Sequence, residues 1–475
     1  MSRPIVRLFL VVTLLFGVLV GFTSYWSVLD AESLNHNPKN ARSIIQEARV
    51  KRGTIRAGNG ELLARSVRAG GGTFRRTYPR PELFPHEVGY SFLSRGRAGL
   101  EEYYNDELAG RKGEFTSLVA QLEGRRQEGD DLRTTLDPDA QRVALNALAG
   151  RRGSVVAIEP RTGDVKVMAS VPGYDPNDID DTRRFEALTQ RNDAPLLNRS
   201  TASSYPPGST MKVVTATAAL DSGKFTPDSV VDGDSAKEFG GVALNNFGGQ
   251  SFGPISLTTA LTNSVNTVWA QVGTSVGKAT MGKYMKRYGF YKDPPVDLPR
   301  SERKPSGEFG PGGKLLNPES PRIDVARMAI GQDKLGVTPL QMAIVAATVA
   351  NGGVLVKPHI GNRFIDADGR TTKKISGASG GRVMSKETAD QLTQMMANVV
   401  AEGSGTAAAL AGVEVAGKTG TAEIDPAAGI NQPWFIGFAP RGNPRVAVAV
   451  TVERSDGTGG EVAAPIAKQV MEALL

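Results

Sequence analysis

The chain has 475 residues, of which 40% are hydrophobic and 22% are charged, so neither a wholly disordered protein nor a polytopic membrane protein fits it. The formal net charge of +7 suits an anionic membrane surface or polyanionic neighbours at least as well as nucleic acid, and aromatic residues at 6% weaken any base-stacking interpretation. The absence of cysteine excludes disulfides, thiolate catalysis and cysteine-ligated zinc.

The first predicted element is a membrane-spanning helix. Residues 8–29 contain no charge, are rich in Leu, Val and Phe, and form a run long enough to cross a bilayer. Arg3 and Arg7 precede this run, so the positive-inside rule makes residues 1–7 a cytoplasmic tail and places the rest of the chain outside the cytoplasm. A cleaved signal peptide would have a shorter apolar stretch and a small-x-small site. An uncleaved, single-pass anchor is therefore predicted.

Two domains are predicted after the anchor. Residues 30–131 are rich in Arg and Gly, with a strand-like piece at residues 54–55 and a helical piece at residues 100–108. A new helix then opens at Asp137, which is a good N-cap because Pro138 follows it at the first helical position. We therefore expect a small mixed first domain and a second domain over residues 132–475.

The second domain is predicted to be α+β. Residues 154–158 and 164–170 have the pattern of two strands joined by a turn, and residues 434–439 and 445–452 form a second such pair. A helix is expected from Ala463 to Leu475. Strands at both ends with long helical stretches between them indicate one sheet closed by distant parts of the chain.

The residue types available for catalysis limit the mechanisms that this protein can use. The three histidines, His36, His86 and His359, lie far apart and are expected to be surface or turn residues, so a Ser-His-Asp hydrolase is a poor fit. No sequence motif for a metal site is present. A serine or threonine nucleophile with a lysine base is the remaining option, because burial and a neighbouring cation can lower the pKa of lysine.

Serine three residues before lysine occurs three times, starting at Ser209, Ser275 and Ser301. This spacing puts both side chains on one helical face. Only Ser209 follows a Pro-Pro-Gly loop and precedes an apolar helix, predicted over residues 213–220, so its hydroxyl and N–H should lie at a buried helix N-terminus. The other two sites have the context of solvated surface, which favours Ser209 with Lys212.

Two further motifs follow Ser209 in order: Ser264-Val265-Asn266, then Lys418-Thr419-Gly420-Thr421. The ordered set S-x-x-K, S-D-N and K-T-G is typical of penicillin-binding proteins and class A β-lactamases, and here Val265 stands in place of the middle Asp. Each motif alone is weak. Their order makes coincidence a poor explanation.

On these motifs the chain resembles the class B penicillin-binding proteins, the monofunctional peptidoglycan transpeptidases, and most of all their short actinobacterial A type. The resemblance is strong from about residue 150 onward and patchy before it, where residues 56–58 depart from the family pattern. Further phrases typical of this family lie at residues 52–55, 60–64, 330–332, 338–343, 405–407, 434–440 and 463–466.

The resemblance implies a fold. An N-terminal transmembrane helix should precede a small mixed α/β domain that does not bind penicillin and serves as a dimerisation or pedestal domain. The transpeptidase domain should resemble serine β-lactamases, with an antiparallel sheet flanked by helices and an all-helical subdomain.

The resemblance also implies catalytic roles. Ser209 would attack the carbonyl between the terminal D-alanines of a stem peptide, and Lys212 would take its proton. Ser264 would pass the proton to the leaving nitrogen, Asn266 would hydrogen-bond Lys212 and the substrate amide, and Lys418 would lower the pKa of Lys212.

Substrate binding is expected at the last motif. Thr419 and Thr421 should hold the terminal carboxylate of the substrate, and the oxyanion hole should consist of the N–H groups of Ser209 and Thr421. Gly420 should let a substrate strand lie against this edge. Trp434 is expected in the core, with a groove wall as the alternative.

Several alternatives remain at this stage. A class A β-lactamase would need a Glu-x-x-Leu-Asn segment between Asn266 and Lys418, and none occurs. A D,D-carboxypeptidase differs only in using water, and a β-lactam sensor or division scaffold would be non-catalytic. Expected partners are D-Ala-D-Ala stem peptides, β-lactams, a SEDS-class glycan polymerase, and division or elongation proteins. No nucleic acid, metal or organic cofactor is expected.

Overall fold

The computed structural model describes residues 3–25, 48–111 and 128–475. The helices are α1 (Arg3–Ser24), α2 (Pro85–Val88), α3 (Gly99–Tyr103), α4 (Asn105–Leu108), α5 (Pro138–Leu148), α6 (Thr182–Thr189), α7 (Lys212–Asp221), α8 (Leu257–Thr262), α9 (Asn266–Val276), α10 (Lys278–Arg287), α11 (Val325–Ala329), α12 (Pro339–Ala350), α13 (Lys386–Ala401) and α14 (Ala464–Leu474).

The strands are β1 (Ile55–Arg56), β2 (Leu62–Arg68), β3 (Phe74–Thr77), β4 (Ser91–Phe92), β5 (Gly96–Arg97), β6 (Asp131–Thr134), β7 (Gly153–Ile158), β8 (Val165–Val171), β9 (Val230–Asp232), β10 (Lys237–Phe239), β11 (Val242–Leu244), β12 (Pro254–Ser256), β13 (Gly307–Glu308), β14 (Leu335–Gly336), β15 (Val354–Val356), β16 (Gly361–Ile365), β17 (Thr371–Lys374), β18 (Ser379–Arg382), β19 (Ala416–Asp425), β20 (Ile430–Ala439) and β21 (Val446–Val452).

A five-stranded antiparallel sheet, in the order β19-β20-β21-β7-β8, forms the centre of the second domain. Both ends of the second domain supply its strands, as the sequence predicted. Every residue of β7 is buried, because α5 and α14 cover one face of the sheet and α12 covers the other. Along β7, Val155 and Ala157 belong to one apolar cluster, and Val156 and Ile158 belong to the other. The predicted α+β class is confirmed.

The helix predicted at Asp137 begins as expected. The Asp137 carboxylate accepts hydrogen bonds from the N–H groups of Asp139 and Ala140, each at 3.0 Å, and Pro138 occupies the first turn. The helix ends at Leu148, and Ala149 then takes a left-handed conformation. The cap sets the start of α5, which lies against the central sheet.

A second, six-stranded sheet joins the two predicted domains. Its order is β17-β16-β6-β1-β2-β3, so the β16–β17 hairpin of the second domain pairs with β6, at the predicted domain boundary, and β6 pairs in turn with β1 of the first domain. In this pairing Phe364 lies opposite Leu132. Next to it, the buried Asp297 accepts hydrogen bonds from the N–H of Gly361 and the hydroxyl of Tyr104 at 2.6 and 2.8 Å. The two parts of the chain therefore share backbone hydrogen bonds as well as side-chain contacts.

The N-terminal helix α1 is long and apolar enough to cross a membrane, and none of its residues is buried. It begins at Arg3, before the charge-free run predicted as the anchor, and the end of that run at residues 26–29 lies outside the described residues. One N-terminal apolar helix thus fits a single-pass membrane anchor.

The prediction that the histidines are surface or turn residues is wrong for the two that the structure describes. His86 and His359 are buried, and each ring contacts a backbone carbonyl, Pro195 O at 2.8 Å and Gly361 O at 2.7 Å. Buried polar groups require such partners, and context alone could not reveal them. His36 lies outside the described residues.

Candidate active site

The turn formed by residues 205–208, here called the serine turn, carries Ser209 and is held by hydrogen bonds along its length. Three partners come from distant parts of the chain: Val337, whose N–H donates to Tyr205 O at 2.8 Å and whose O accepts from Tyr205 N at 2.9 Å; Trp434, whose Nε1 donates to Pro206 O at 2.9 Å; and Gly331, whose O accepts from Gly208 N at 3.0 Å. A local bond from Thr210 Oγ1 to Pro207 O at 2.7 Å completes the set. The position of Ser209 is therefore fixed by contacts on both sides of the turn.

Two glycines make this packing possible. Gly331 has a φ of +79°, and a Cβ on it would lie 2.0 Å from the carbonyl oxygen of Gly208. Gly208 has a φ of +52°, and a Cβ there would lie 3.0 Å from Thr421 C. Only glycine suits such positions without strain. Ser209 then lies in a 3₁₀ turn, Gly208–Met211, that leads directly into α7.

Lys212 lies one turn after Ser209 and is completely buried. Its Nζ donates to Ser264 O at 2.8 Å, to Ser264 Oγ at 3.2 Å and to Asn266 Oδ1 at 2.6 Å. Lys418, also completely buried, donates from Nζ to Ser264 Oγ at 2.9 Å and to Thr419 O at 3.0 Å. The three motifs that are far apart in sequence thus meet at the Ser264 hydroxyl.

The two lysines have lowered pKa values. Burial lowers the pKa of Lys212 well below its ordinary value, and the charge of Lys418 lowers this pKa further. Burial alone lowers the pKa of Lys418 to about 7. A lysine in such an environment is partly neutral near physiological pH and is able to accept a proton.

The Ser264 motif has an unusual backbone conformation and a buried middle residue. Ser264 has a φ of +57°, which is strained for a residue other than glycine, and strain of this kind is concentrated at functional sites. Val265, in place of the usual Asp, is 1% exposed and packs in the apolar core, where an unpaired carboxylate would be unfavourable. Asn266 is held at its other end, because its Nδ2 donates to Asn245 O at 3.0 Å.

The Lys418 motif lies on β19, the edge strand of the central sheet. Thr419 Oγ1 lies 2.6 Å from Ser404 Oγ, and Thr421 Oγ1 accepts from Gly459 N at 3.1 Å. The structure gives Gly420 a neighbour that the sequence did not indicate. A Cβ on Gly420 would lie 2.8 Å from Pro207 O, so this glycine makes room for the serine turn.

Trp434 and the other two Ser-x-x-Lys serines lie where the sequence predicted. Trp434 is fully buried and belongs to the core, as expected. The other Ser-x-x-Lys serines, Ser275 and Ser301, are exposed, in agreement with the sequence analysis.

Sequence reasoning missed an ionic group beneath the serine turn. Glu453, just after β21, accepts a hydrogen bond from the Tyr205 hydroxyl at 2.5 Å and another from Arg199 Nε at 2.8 Å. Arg199 is buried, and its remaining nitrogens donate to backbone carbonyls. No local motif surrounds Glu453, and 248 residues separate it from Tyr205, so no sequence signal could pair them.

Taken together, the site combines a serine at the start of a helix with a buried lysine of lowered pKa and a second hydroxyl between two lysines. These are the parts that acyl transfer through a serine ester requires. The fold and the site therefore define the class of serine–lysine acyltransferases.

Comparison with known proteins gives the family. The penicillin-binding protein transpeptidase domain matches residues 153–472, and the penicillin-binding protein A dimerisation domain matches residues 52–132. The peptidoglycan D,D-transpeptidase PbpA of Mycolicibacterium smegmatis is 34% identical over 100% of this chain and 99% of its own length. The chain belongs to the class B penicillin-binding protein transpeptidases, which confirms the resemblance inferred from the motifs.

Solved structures agree with this assignment. Penicillin-binding protein A of M. tuberculosis, as its ceftriaxone acyl-enzyme complex, is 31% identical and superimposes with a TM-score of 0.81, covering 91% of this chain and 100% of that one. The penicillin G acyl-enzyme complex of the same protein is 32% identical with a TM-score of 0.78, covering 89% and 99%. The predicted fold is confirmed, and short two-stranded sheets accompany the helices of the second domain.

Proposed function

We propose that this protein is a peptidoglycan D,D-transpeptidase that cross-links stem peptides through an acyl-enzyme on Ser209. The Ser209 oxygen forms an ester with the penultimate D-alanine carbonyl, the amide C–N bond breaks, and terminal D-alanine leaves. The amine of a second stem peptide then attacks the ester and restores the serine. The observation that carries this proposal is the burial of Lys212, one helical turn from Ser209, in hydrogen-bond contact with Ser264 and Asn266.

Proton transfer in this proposal uses Lys212 and the groups that surround it. Neutral Lys212 takes the proton of Ser209 as the ester forms. Ser264, whose oxygen is 3.2 Å from Lys212 Nζ, passes a proton to the leaving nitrogen and is resupplied by Lys212. Lys418, 2.9 Å from the same oxygen, orients this hydroxyl. Its positive charge also disfavours a positive charge on Lys212. Asn266 fixes the Lys212 amine and offers its second N–H to the substrate amide.

Groups at β19 and at Ser209 bind the negative charges of the substrate, which are the oxyanion and the terminal carboxylate. The N–H groups of Ser209 and Thr421 form the oxyanion hole in this proposal, and the close approach of Gly208 to Thr421 supports it. Thr419 and Thr421 bind the terminal carboxylate of the substrate. Because Gly420 has no Cβ, the serine turn can approach β19 closely. In this proposal the approach brings the N–H groups of Ser209 and Thr421 to the same side of the site.

Covalent labelling tests the nucleophile. Full-length protein in detergent is mixed with excess benzylpenicillin, freed of drug and followed by intact mass and peptide mapping. We expect a stable adduct on the Ser209 peptide that is lost in Ser209→Ala and unchanged in Ser275→Ala, a matched variant of an exposed serine in the same spacing.

Other outcomes of this experiment point to other functions. An adduct that disappears within seconds indicates a β-lactamase, and an unlabelled wild-type protein indicates a non-catalytic sensor or scaffold. After stable labelling, a stem-peptide substrate with and without an amine acceptor separates transpeptidation from D,D-carboxypeptidation.

We also propose a topology and a domain organisation. Residues 1–7 form a cytoplasmic tail, residues 8–29 the anchor, residues 30–131 the first domain and residues 132–475 the extracytoplasmic transpeptidase domain. The arginines before the apolar run support this orientation. Protease treatment of intact spheroplasts should degrade everything except the anchor and tail. Protection of the whole chain would contradict this orientation.

The partner implied by the family resemblance is a SEDS-class glycan polymerase of the division or elongation machinery. A transpeptidase needs glycan strands to cross-link, and the two domain families that match this chain are a transpeptidase domain and a dimerisation domain. Co-purification of such a polymerase with the tagged full-length protein would support this part of the proposal.

A further inference from the structure

Ser404 lies beside the proposed carboxylate site but in none of the three motifs. It follows α13, in a short loop whose backbone is fixed at two points: Ser404 N donates to Thr262 O at 3.3 Å and Gly405 N donates to Val399 O at 2.9 Å. Its side chain is exposed, whereas Thr419 is only 5% exposed. The two hydroxyl oxygens are 2.6 Å apart, the distance of a good hydrogen bond.

The direction of this hydrogen bond follows from counting protons. A hydroxyl has one proton to donate and two lone pairs that accept, whereas a carboxylate only accepts. If Thr419 holds a substrate carboxylate, its single proton goes to the carboxylate. Thr419 then accepts from Ser404, so the Ser404 proton must point at Thr419.

A second contact favours the same direction. Lys418 Nζ lies 3.5 Å from Thr419 Oγ1, at the outer limit of a hydrogen bond, and in its protonated form it can only donate. With donors from Ser404 and Lys418 on its two lone pairs, the Thr419 oxygen directs its own proton away from both. Successive hydroxyl donors also polarise one another, which strengthens the last hydrogen bond of the chain.

We propose that Ser404 is a positioning residue that sets the Thr419 hydroxyl as a donor for the carboxylate of the acyl donor, and so contributes to selection of carboxylate-terminated substrates. This inference rests on the proposed function, because it concerns the same acylation step. Ser404 acts through Thr419 and is not itself a catalytic residue.

The test compares acylation of the full-length protein by benzylpenicillin and by its methyl ester, which lacks the carboxylate. Removal of one neutral hydrogen bond predicts that Ser404→Ala lowers the acylation rate constant for benzylpenicillin by roughly three- to tenfold and leaves the rate for the ester nearly unchanged. Ser404→Thr retains a hydroxyl and should restore most of the preference for the free acid.

A double-mutant cycle tests whether Ser404 acts on acylation through Thr419. Thr419→Val should lose the same preference, and adding Ser404→Ala to it should change little more, because Ser404 acts only through Thr419. Equal losses with both compounds, no loss with either, or additive effects in the double variant would each overturn the inference. Failure of both compounds to acylate the wild-type protein would instead overturn the proposed function and this inference with it.

Discussion

A single oxygen, Ser264 Oγ, is shared by two buried lysines, 3.2 Å from Lys212 Nζ and 2.9 Å from Lys418 Nζ. Two full positive charges this close, away from water, repel each other strongly, so the pair carries less than two charges near neutral pH. One lysine can therefore hold a proton while the other offers a lone pair. The polar groups around Ser264 thus form a short path for proton transfer.

The pH dependence of acylation is the first prediction. Because burial lowers the pKa of Lys418 to about 7 and holds that of Lys212 well below its ordinary value, the pair loses a proton as the pH rises past 7. The acylation rate by benzylpenicillin should therefore rise with pH, by up to about tenfold per pH unit, over the range in which Lys212 loses its proton. Rapid-quench mass spectrometry measures it.

The control for this prediction is Lys212→Arg, which keeps a positive charge at every pH and cannot act as a base. We expect its acylation to fall by roughly 10²- to 10⁴-fold and to lose the rise with pH that depends on a neutral Lys212. A flat profile in the wild-type protein would contradict the assignment of lysine as the base.

At the scale of elements, the serine turn is built from segments that the sequence keeps far apart. The Ser-x-x-Lys spacing predicted the helix and the shared face of Ser209 and Lys212, because both depend on local periodicity. The contacts of the turn with Val337, Gly331 and Trp434 could not be predicted, because they depend on how distant segments pack. The same limit explains why the close approach of Gly420 to Pro207 was not predicted.

Gly331→Ala is the second prediction. A Cβ at this position would lie 2.0 Å from Gly208 O and the residue has a φ of +79°, so the serine turn must shift. We expect a loss of about 2–4 kcal/mol in the free energy of unfolding and a large fall in the acylation rate. Gly442→Ala, where no atom lies within 4 Å of the added carbon, is the matched control. Acylation by the Gly331→Ala protein at the wild-type rate would show that the turn is not constrained here.

Tyr205→Phe is the third prediction. Tyr205 is the first residue of the serine turn, and the change removes only its hydroxyl, which donates to Glu453 at 2.5 Å. A hydrogen bond to a charged acceptor contributes about 1.5–3 kcal/mol, so the melting temperature should fall and acylation should slow severalfold. Glu453→Gln should be more damaging, because it leaves Arg199 buried without its carboxylate. Equal stability of the Tyr205→Phe and wild-type proteins would show that this hydroxyl does not hold the turn.

At the scale of the whole molecule, the interface between the two domains contains two glutamates, Glu87 and Glu302, whose pKa values are raised. Glu87, on α2, is 1% exposed, and within the described residues its Oε2 has no hydrogen-bond partner while Oε1 accepts from Asn198 at 3.4 Å. Burial raises its pKa from 4.5 to about 8. Burial also raises the pKa of Glu302, which accepts from Gly99 N, to about 7. Nothing in the sequence pattern distinguishes these acids from exposed ones.

The pH dependence of stability is the fourth prediction. Between about pH 4.5 and 8, folded Glu87 keeps a proton that the unfolded chain has lost, so its contribution to the free energy of unfolding declines as the pH rises through this window. Glu87→Gln keeps a neutral side chain and should gain a few kcal/mol over the wild-type protein between pH 5 and 9. Chemical denaturation at pH 5, 7 and 9 measures this difference. A constant difference between the two proteins at all three values would contradict it.

The sheet shared by the two domains limits how the molecule can be divided. The proposed boundary at residues 131 and 132 passes through β6, which pairs with β1 on one side and β16 on the other. A truncated protein that starts after β6 would expose the backbone donors and acceptors of β16 as a free edge, and such edges promote aggregation. A recombinant transpeptidase domain for inhibitor screening should therefore retain strands β1 to β6 of the first domain, and transfer of this catalytic module into another protein would have to carry the first domain with it.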